Sequence, residues 1–336
     1  MSFHIVSIDS PQCSISCRDG QLVCKTAEGE RKLPIEDVAS IIITSFSAQI
    51  HSHLFLEAAK HGVALIICEA FKPVSLVLPA NRSTDTLLTR ALLKIDEKTV
   101  ARFWQATIDA KCRNQFLLAT HMRPEDGGLA ALRDAAWSRK PHKEAICAKM
   151  FWQIFGRSCS GGLRPSVEEG TRGIATDAHR APLHPEVFTR ERSGGGLNNL
   201  LNYGYAVLLS TVLQKLFGVG LDPTFGISHV TRERCTPLAY DLMEPFRPCV
   251  DWRIVQWVQQ HGRDGSPQPS EHHWEVTPEF RKWVTAFPLD RVEYLDLTLD
   301  VRSCIEGVVR GFRRAVLTGD GKHYKPWTPK NSKWAG

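Results

Sequence analysis

Apolar and polar residues alternate with a period of two along the first quarter of the chain and with a period near 3.6 along most of the rest. Alternation predicts strands at His4 to Ile8, Cys13 to Cys17, Gln21 to Lys25, Val38 to Thr44, Val63 to Cys68 and Val74 to Leu78. Asp19-Gly20, between the second and third, is a two-residue hairpin signal. Ser52 to Lys60 reads as a short helix, with Gly62 placed to take the left-handed conformation past its end. The period changes after Pro79-Ala-Asn-Arg-Ser-Thr, a run of turn formers. Beyond it, Val100, Phe103, Trp104, Thr107 and Ile108 recur three and four apart. Helices are predicted at Lys143 to Phe155, Leu197 to Phe217, Leu238 to Gln259, Pro278 to Ala286 and Leu295 to Leu317.

These patterns predict an α+β protein. A small β-rich domain covers 1–80, a linker 81–90, a larger and predominantly α-helical domain 91–320, and a basic tail 321–336. The stretch 157–196 breaks the helical domain: it is rich in Gly, Pro, Arg and His and carries no sustained apolar period. A run of that length inside a compact domain is functional or a tolerated surface insertion. The insertion is the simpler reading and a DNA-contacting loop the other.

Composition narrows the class. A chain of 336 residues with 43% hydrophobic content is large enough for two domains. No apolar run reaches the roughly 18 residues that a membrane span needs, and the Met-Ser-Phe-His start lacks the basic and apolar regions of a secretory signal. A cytoplasmic protein with no membrane partner is expected. The ten cysteines are scattered with no Cys-x-x-Cys pair, which points to reduced, mostly buried thiols. Cys13 and Cys17 flank Ser-Ile-Ser in a strand pattern rather than a zinc knuckle.

Charge adds a permissive signal for a polyanionic partner, with a net +6. Arg139-Lys140-Pro-His142-Lys143 and Arg310-Gly-Phe-Arg313-Arg314 are basic clusters. The tail interleaves Lys322, His323, Lys325, Lys330 and Lys333 with Tyr324, Trp327 and Trp334. Such mixtures suit phosphate contact with base stacking, while solvated helix faces and a loose tail would give the same composition.

Candidate chemistry gathers at His229, Asp241 and Glu244. A helix opening at Leu238 would stack Asp241 and Glu244 on one face, where two like charges need a cation between them. Asp-x-x-Glu pairs are common on solvated surfaces and a lone histidine is more often structural. Here Leu242, Met243 and Pro245-Phe-Arg247-Pro imply a packed helix, and the imidazole and carboxylates together suit Mg²⁺ or Mn²⁺.

Asn202-Tyr-Gly-Tyr-Ala-Val-Leu-Leu-Ser, Gly220-Leu-Asp-Pro, Phe225-Gly-Ile-Ser-His229 and Ala239-Tyr-Asp-Leu-Met-Glu-Pro-Phe-Arg-Pro-Cys-Val-Asp251 resemble the core of the CRISPR-associated integrase, the protein-one family. Ser7-Ile to Leu22-Val, Arg90 and Lys111-x-x-Asn114-Gln115 also fit. The resemblance spans most of the chain except 157–196 and the tail. It implies a metal-dependent DNA integrase and endonuclease that joins 3′-hydroxyl ends of captured DNA, the protospacer, to the repeat ends of a CRISPR array beside its leader. Its metal ligands would be a glutamate from an earlier helix, His229 and Glu244, with Asp241 as acidic companion.

Glu144 is taken as the first ligand. It opens a periodic helix ending in Phe155-Gly156, although Ala145 stands where the family has glycine; Glu169, followed by Gly170, is the alternative. Arg139, Lys140 and Lys143 are expected to contact the DNA backbone. Asn202, Tyr205 and Arg247 are expected beside the metal site or on phosphate, Tyr205 more readily as packing and Arg247 alternatively as a carboxylate partner. The resemblance further implies a homodimer formed through the β domain, two such dimers around a dimer of the small protein-two partner, and an association with a single-protein effector nuclease. A transposon-borne relative integrating transposon DNA and a non-catalytic DNA-binding scaffold are the alternatives.

Overall fold

In the computed structural model, the residues described are 4–69, 72–77, 86–159, 188–191, 194–229, 236–261 and 274–329. The strands of the N-terminal region are β1 (His4–Ile8), β2 (Ser14–Arg18), β3 (Gln21–Thr26), β4 (Gly29–Pro34), β5 (Val38–Ile43), β6 (Gln49–Ile50), β7 (Ala64–Glu69) and β8 (Lys72–Val77), with helix α1 (His53–Lys60) before β7. Two four-stranded sheets result, ordered β1-β5-β7-β8 and β4-β3-β2-β6. The β2–β3 turn is set as its residues predict, with Asp19 and Gly20 both at positive φ. Gly62 closes α1 in the left-handed conformation, and the Val63 N–H reaches back to the Ala58 carbonyl.

Period-two burial explains the core. Cys13, Ile15 and Cys17 are all buried on one face, so these cysteines pack rather than ligate. None of the nine described cysteines forms a disulfide. The first sheet is covered on both sides: Ile41, Ile43 and Leu65 join Ile15 and Leu54, whereas Ile42, Ile66 and Cys68 join the helical core. Strand β4, Gly-Glu-Arg-Lys-Leu-Pro, carries no apolar alternation because it lies at an edge with its first four residues exposed.

The helical region contains α2 (Thr86–Lys94), α3 (Glu97–Met122), α4 (Leu129–Trp137), α5 (Lys143–Cys159), α6 (Leu197–Gly218), α7 (Pro237–Met243), α8 (Arg247–His261), α9 (Pro278–Thr285) and α10 (Val301–Thr318). A hairpin of β9 (Arg291–Tyr294) and β10 (Leu297–Asp300) precedes α10. Two expectations are corrected. The helix predicted over Leu238 to Gln259 is two helices joined by a 3₁₀ turn, Glu244–Phe246, because Pro245 and Pro248 each lack the N–H that an unbroken helix uses. The helix predicted from Leu295 starts at Val301, since Asp300 caps it by accepting from Ser303 N–H at 2.8 Å and Leu297–Asp300 pairs with β9. The predicted run Pro79 to Thr84 lies outside the described residues. No helix among the described residues is long and apolar enough to cross a membrane.

Helix α6 is the axle of the molecule. It is buried on all sides, and packs against the first sheet as well as α7, α8 and α10. Its Gly204 permits the closest approach, since a Cβ there would meet Val250 Cγ1 at 2.5 Å. Gly204→Ala is therefore expected to destabilise the protein by about 1–3 kcal/mol through overpacking. Gly218→Ala, at the open end of the same helix, should cost little. Urea midpoints followed by circular dichroism check both, and an unshifted midpoint for Gly204→Ala would contradict the close-packed interface.

Candidate active site

Three elements deliver the acidic groups, and α3 holds them together. Asp96 caps α3 by accepting from Thr99 N–H at 2.9 Å, and the helix then runs far enough to place Lys111 between α5 and the 3₁₀ turn. Lys111 Nζ lies 2.6 Å from Glu144 Oε1 and 2.6 Å from Glu244 Oε2. The two carboxylate oxygens are thus no more than twice that distance apart. One turn along α3, the Asn114 amide donates to the Pro245 carbonyl at 2.8 Å and the Trp327 carbonyl at 2.9 Å. That fixes the turn carrying Glu244.

Glu244 is buried, and Oε2 also contacts Arg247 Nε at 2.9 Å. This buried oxygen is therefore neutralised from two sides, by an ammonium and a guanidinium. Burial alone would raise the Glu244 pKa, but Arg247 and Lys111 outweigh it and hold the group at about 2. Lys111 shows the converse balance: burial opposes its charge, and Glu244 and Glu144 restore it, raising its pKa.

His229 pairs with Asp241, and it also lies near enough to Glu244 to help hold that carboxyl's pKa down. Asp241 is fully buried, and its carboxylate accepts from the backbone N–H groups of Ile227, Ser228 and His229 at 2.5, 3.0 and 3.2 Å. Its Oδ1 also lies 2.7 Å from His229 Nδ1. Gly226 makes this wrap possible, because a Cβ there would meet the His229 carbonyl oxygen at 2.4 Å. Asp241 consequently acts as the anchor that orients the imidazole and leaves Nε2 as the ring's open nitrogen, a carboxylate–histidine pairing typical of metal sites. The expectation that Asp241 and Glu244 share one cation is corrected: Asp241 takes the loop N–H groups and His229, whereas Glu244 takes Lys111 and Arg247.

The donor set fits a divalent ion in kind. Glu144, Glu244 and the Nε2 of an Asp241-oriented histidine are oxygen and nitrogen ligands suited to Mg²⁺ or Mn²⁺. Among the described residues, however, no three His, Cys, Asp or Glu side chains are gathered closely enough to hold a metal ion. The cation that brings Glu144 and Glu244 together here is Lys111.

Several residues expected to contact DNA are committed inside the protein. Lys143 is buried, donating to Asp109 at 2.5 Å and to the Ala136 and Ser138 carbonyls. It ties α5 to α3 and α4, so the backbone contact expected of it is corrected. Tyr205 donates to Asp251 at 2.5 Å, while Asn202 accepts from Arg190 at 2.7 Å. Arg247 and Arg190 lie over the Tyr205 ring, 4.6 and 5.4 Å from its centroid. Asn202, Tyr205 and Arg247 therefore form a network behind Glu244. Arg139 and Lys140 do remain exposed, just before α5. The tail is not loose where it is described: Tyr324 shares a 2.8 Å hydrogen bond with Thr107, and Trp327 stacks on Phe246. Glu169 lies outside the described residues, as do Lys330, Lys333 and Trp334.

Sequence reasoning overlooked Lys111 and Arg190 as members of this region. Lys111 was visible only as part of Lys-x-x-Asn-Gln; nothing in spacing linked it to residues 33 and 133 positions away. Arg190 lies at the end of the stretch read as an insertion, where Phe188 packs against Trp152 and Phe155.

The network gives two titrations of opposite sign. Glu244 is depressed from 4.5 to about 2, so its stabilisation is complete above about pH 4.5 and disappears as pH falls through 2. Burial raises Asp251 from 3.8 to about 7 against the opposing effects of Tyr205, Arg247 and Arg190, so ionising it costs stability increasingly from pH 4 to pH 7. Relative to wild type without divalent ions, Glu244→Gln should lose a few kcal/mol at pH 7, a deficit that shrinks below pH 4. Asp251→Asn should instead gain ground on wild type as pH rises from 4 to 7. Urea unfolding across pH in EDTA checks both slopes.

The Cas1 family model, described as CRISPR associated protein Cas1, matches residues 6–163 and 183–284. The CRISPR-associated endonuclease Cas1 of Neisseria meningitidis serogroup C (strain 8013) is 26% identical over 288 residues, 83% of this chain and 86% of that protein. Its counterpart in Korarchaeum cryptofilum (strain OPF8) is 24% identical over 279 residues, 75% and 77% of the two chains. Among solved structures, a casposase bound to integration product shares the fold at TM-score 0.69 and 20% identity, covering 100% of this chain and 96% of that one. A Cas1 protein from Thermotoga maritima does so at TM-score 0.67 and 16% identity, covering 94% and 97%. A Cas6-RT-Cas1–Cas2 complex matches at TM-score 0.69 and 14% identity, over 97% of this chain and 36% of that one. Both stretches matched by the family model contribute to the site just described, Lys111 and Glu144 from the first, His229, Asp241 and Glu244 from the second, and the chain belongs to the Cas1 family of CRISPR-associated proteins.

Proposed function

We propose that this protein is a metal-dependent DNA integrase that joins the 3′-hydroxyl ends of protospacer DNA to the repeat ends of a CRISPR array, with associated endonuclease activity. The observation that carries this reading is the convergence of Glu144 and Glu244 on one cation, beside a histidine whose Nδ1 is fixed by a buried carboxylate. Glu144, Glu244 and His229 Nε2 would hold Mg²⁺ or Mn²⁺, which supplies neutralisation of charge developing on the scissile phosphate. Glu144 is preferred to Glu169 as first ligand because it sits on a packed helix, within the matched residues, while Glu169 falls between the two matched stretches.

The protein's part in the reaction is positioning. Asp241 holds the imidazole through Nδ1, so that Nε2 is available as a ligand. Asn114 and the Phe246–Trp327 stack hold the turn that presents Glu244. Arg139 and Lys140, exposed ahead of α5, would grip backbone phosphates on approach to Glu144. An incoming 3′-hydroxyl then attacks a phosphodiester in line, and one phosphodiester replaces another, so no nucleotide triphosphate is needed. Orientation of the reactants can supply roughly 7–11 kcal/mol of such a barrier.

The partners that go with this reading are DNA, a second copy of the chain, and the small Cas2 protein, which accompanies Cas1 in the complex of similar fold. Two dimers of this chain around one Cas2 dimer, working in the cytoplasm and in some systems with an effector nuclease, complete it. Transposon integration is disfavoured, because the likeness to the casposase is one of fold while the sequence relatives above are named CRISPR-associated endonucleases.

An integration assay with labelled duplex, supercoiled array plasmid and Mn²⁺ tests the proposal. Glu144→Ala, His229→Ala and Glu244→Ala should each abolish detectable joining, whereas Glu169→Ala stays active. Joining retained by Glu144→Ala but lost in Glu169→Ala would reverse the ligand assignment. Because phosphate contacts release counterions, DNA binding should weaken steeply between low and moderate salt. Arg139→Ala with Lys140→Ala should flatten that dependence.

A further inference from the structure

The side chain that holds Glu144 and Glu244 together is Lys111, and its position raises a question of occupancy. Its ammonium makes 2.6 Å contacts with both carboxylates that are read as metal ligands. Only 11% of the Lys111 side chain is exposed, and 5% of Glu244, whereas Glu144 is 38% exposed. The lysine thus bridges a buried carboxylate and an accessible one.

Bringing two carboxylates this close without a cation would be costly, since like charges at such separations repel by several kcal/mol even at an effective dielectric near 20. Arg247 offsets only one of them, Glu244, and is itself clamped over the Tyr205 ring. Lys111 is therefore the one cation that contacts both among the described residues. An ammonium and a divalent ion cannot both sit between the same two oxygens at contact distance. A compact cation on a flexible four-carbon stem can withdraw where a rigid guanidinium cannot.

We propose that Lys111 is a resident counter-cation: it keeps Glu144 and Glu244 assembled in the metal-free protein and must be displaced from between them when a divalent ion binds. This rests on the reading of Glu144 and Glu244 as metal ligands. It makes Lys111 a positioning residue that competes with the metal. Two consequences follow from the same contact. Removing the ammonium should tighten metal binding, since nothing has to leave, and it should weaken the metal-free protein, since the carboxylates then face each other unbridged.

The test uses the full chain, with Mn²⁺ as probe. Free Mn²⁺ is followed by electron paramagnetic resonance in a titration, and melting temperature is measured in EDTA and in saturating Mn²⁺. Lys111→Met should bind Mn²⁺ at the Glu144-dependent site about tenfold or more tightly than wild type. It should melt lower in EDTA and gain more on adding Mn²⁺. Lys111→Arg keeps the charge and should bind no more tightly than wild type, and Lys111→Gln offers a second neutral side chain if the Met variant does not fold. Equal or weaker Mn²⁺ binding by the neutral variants, or tighter binding by Lys111→Arg, would overturn the inference while leaving the metal centre standing. No Glu144-dependent Mn²⁺ binding in any of these proteins would remove the metal-centre reading and this inference with it.

Discussion

The structure around the site depends on one electrostatic constraint: acidic groups buried at the meeting point of several helices must each have a cation or aligned donors of their own. Asp241 meets it with three backbone N–H groups and His229. Glu244 meets it with Lys111 and Arg247. Asp251 meets it with the Tyr205 hydroxyl, and its carboxyl pKa is pushed up to about 7 by burial. These solutions are chained, because His229 also lowers the Glu244 pKa and Arg247 lies over Tyr205. Removing one partner of such a buried pair leaves an uncompensated charge, which costs more than the pair itself contributes. The helices are in effect locked by their charges as well as by their apolar faces.

That lock explains why the break between α7 and α8 matters. A continuous helix would set Asp241 and Glu244 on one face, with their carboxylates in competition for the same cations. Here Pro245 and Pro248 accompany a 3₁₀ turn, and the two carboxylates take different partners. Asp241 turns to the loop that carries His229, while Glu244 turns to α3. Asn114 and the stacked pair Phe246–Trp327 then hold the turn in place from the other side. The tail residues Tyr324 and Trp327 look from composition like a nucleic-acid stacking surface, but they are part of this support.

Legibility in the sequence follows the range of each interaction. Strands β1, β3, β5 and β7, the Asp19-Gly20 turn, helix α6 and the resemblance of Phe225 to His229 are written in contiguous residues, and each was readable. Strand β4 was not, because an exposed edge strand needs no apolar alternation. The start of α10 is not legible because Leu297 and Leu299 suit a helix or a hairpin equally, and only pairing with β9 and the Asp300 cap decide between them. At the site, the ligand types were legible but their neighbours were not. Lys143 sits in a basic cluster and reads as a DNA contact, yet Asp109 and two carbonyls fold it inward. Charge clusters in a sequence do not distinguish a solvated face from a buried clasp, because burial is decided by partners far along the chain.

Lys111 carries that point furthest. A lysine in an amphipathic helix is ordinarily solvated, and its stem can cover apolar surface while the ammonium stays in water. Here the same stem carries the ammonium inward, because two carboxylates from α5 and the 3₁₀ turn are waiting there. The attraction favours burial only if both acids arrive, and both arrive only if α3, α5 and the α7–α8 break are already in register. The ion cluster is therefore a consequence of correct packing and a check on it: a misregistered helix would bury a lone charge. Lys143 bonded to Asp109 and Lys111 bonded to Glu144 bind α3 to α5 at positions two residues apart on one helix and adjacent on the other. Register between these helices is thus specified by charge at the place where the candidate chemistry requires it, with Cys112 and Cys147 packed as small buried groups beside the two clasps.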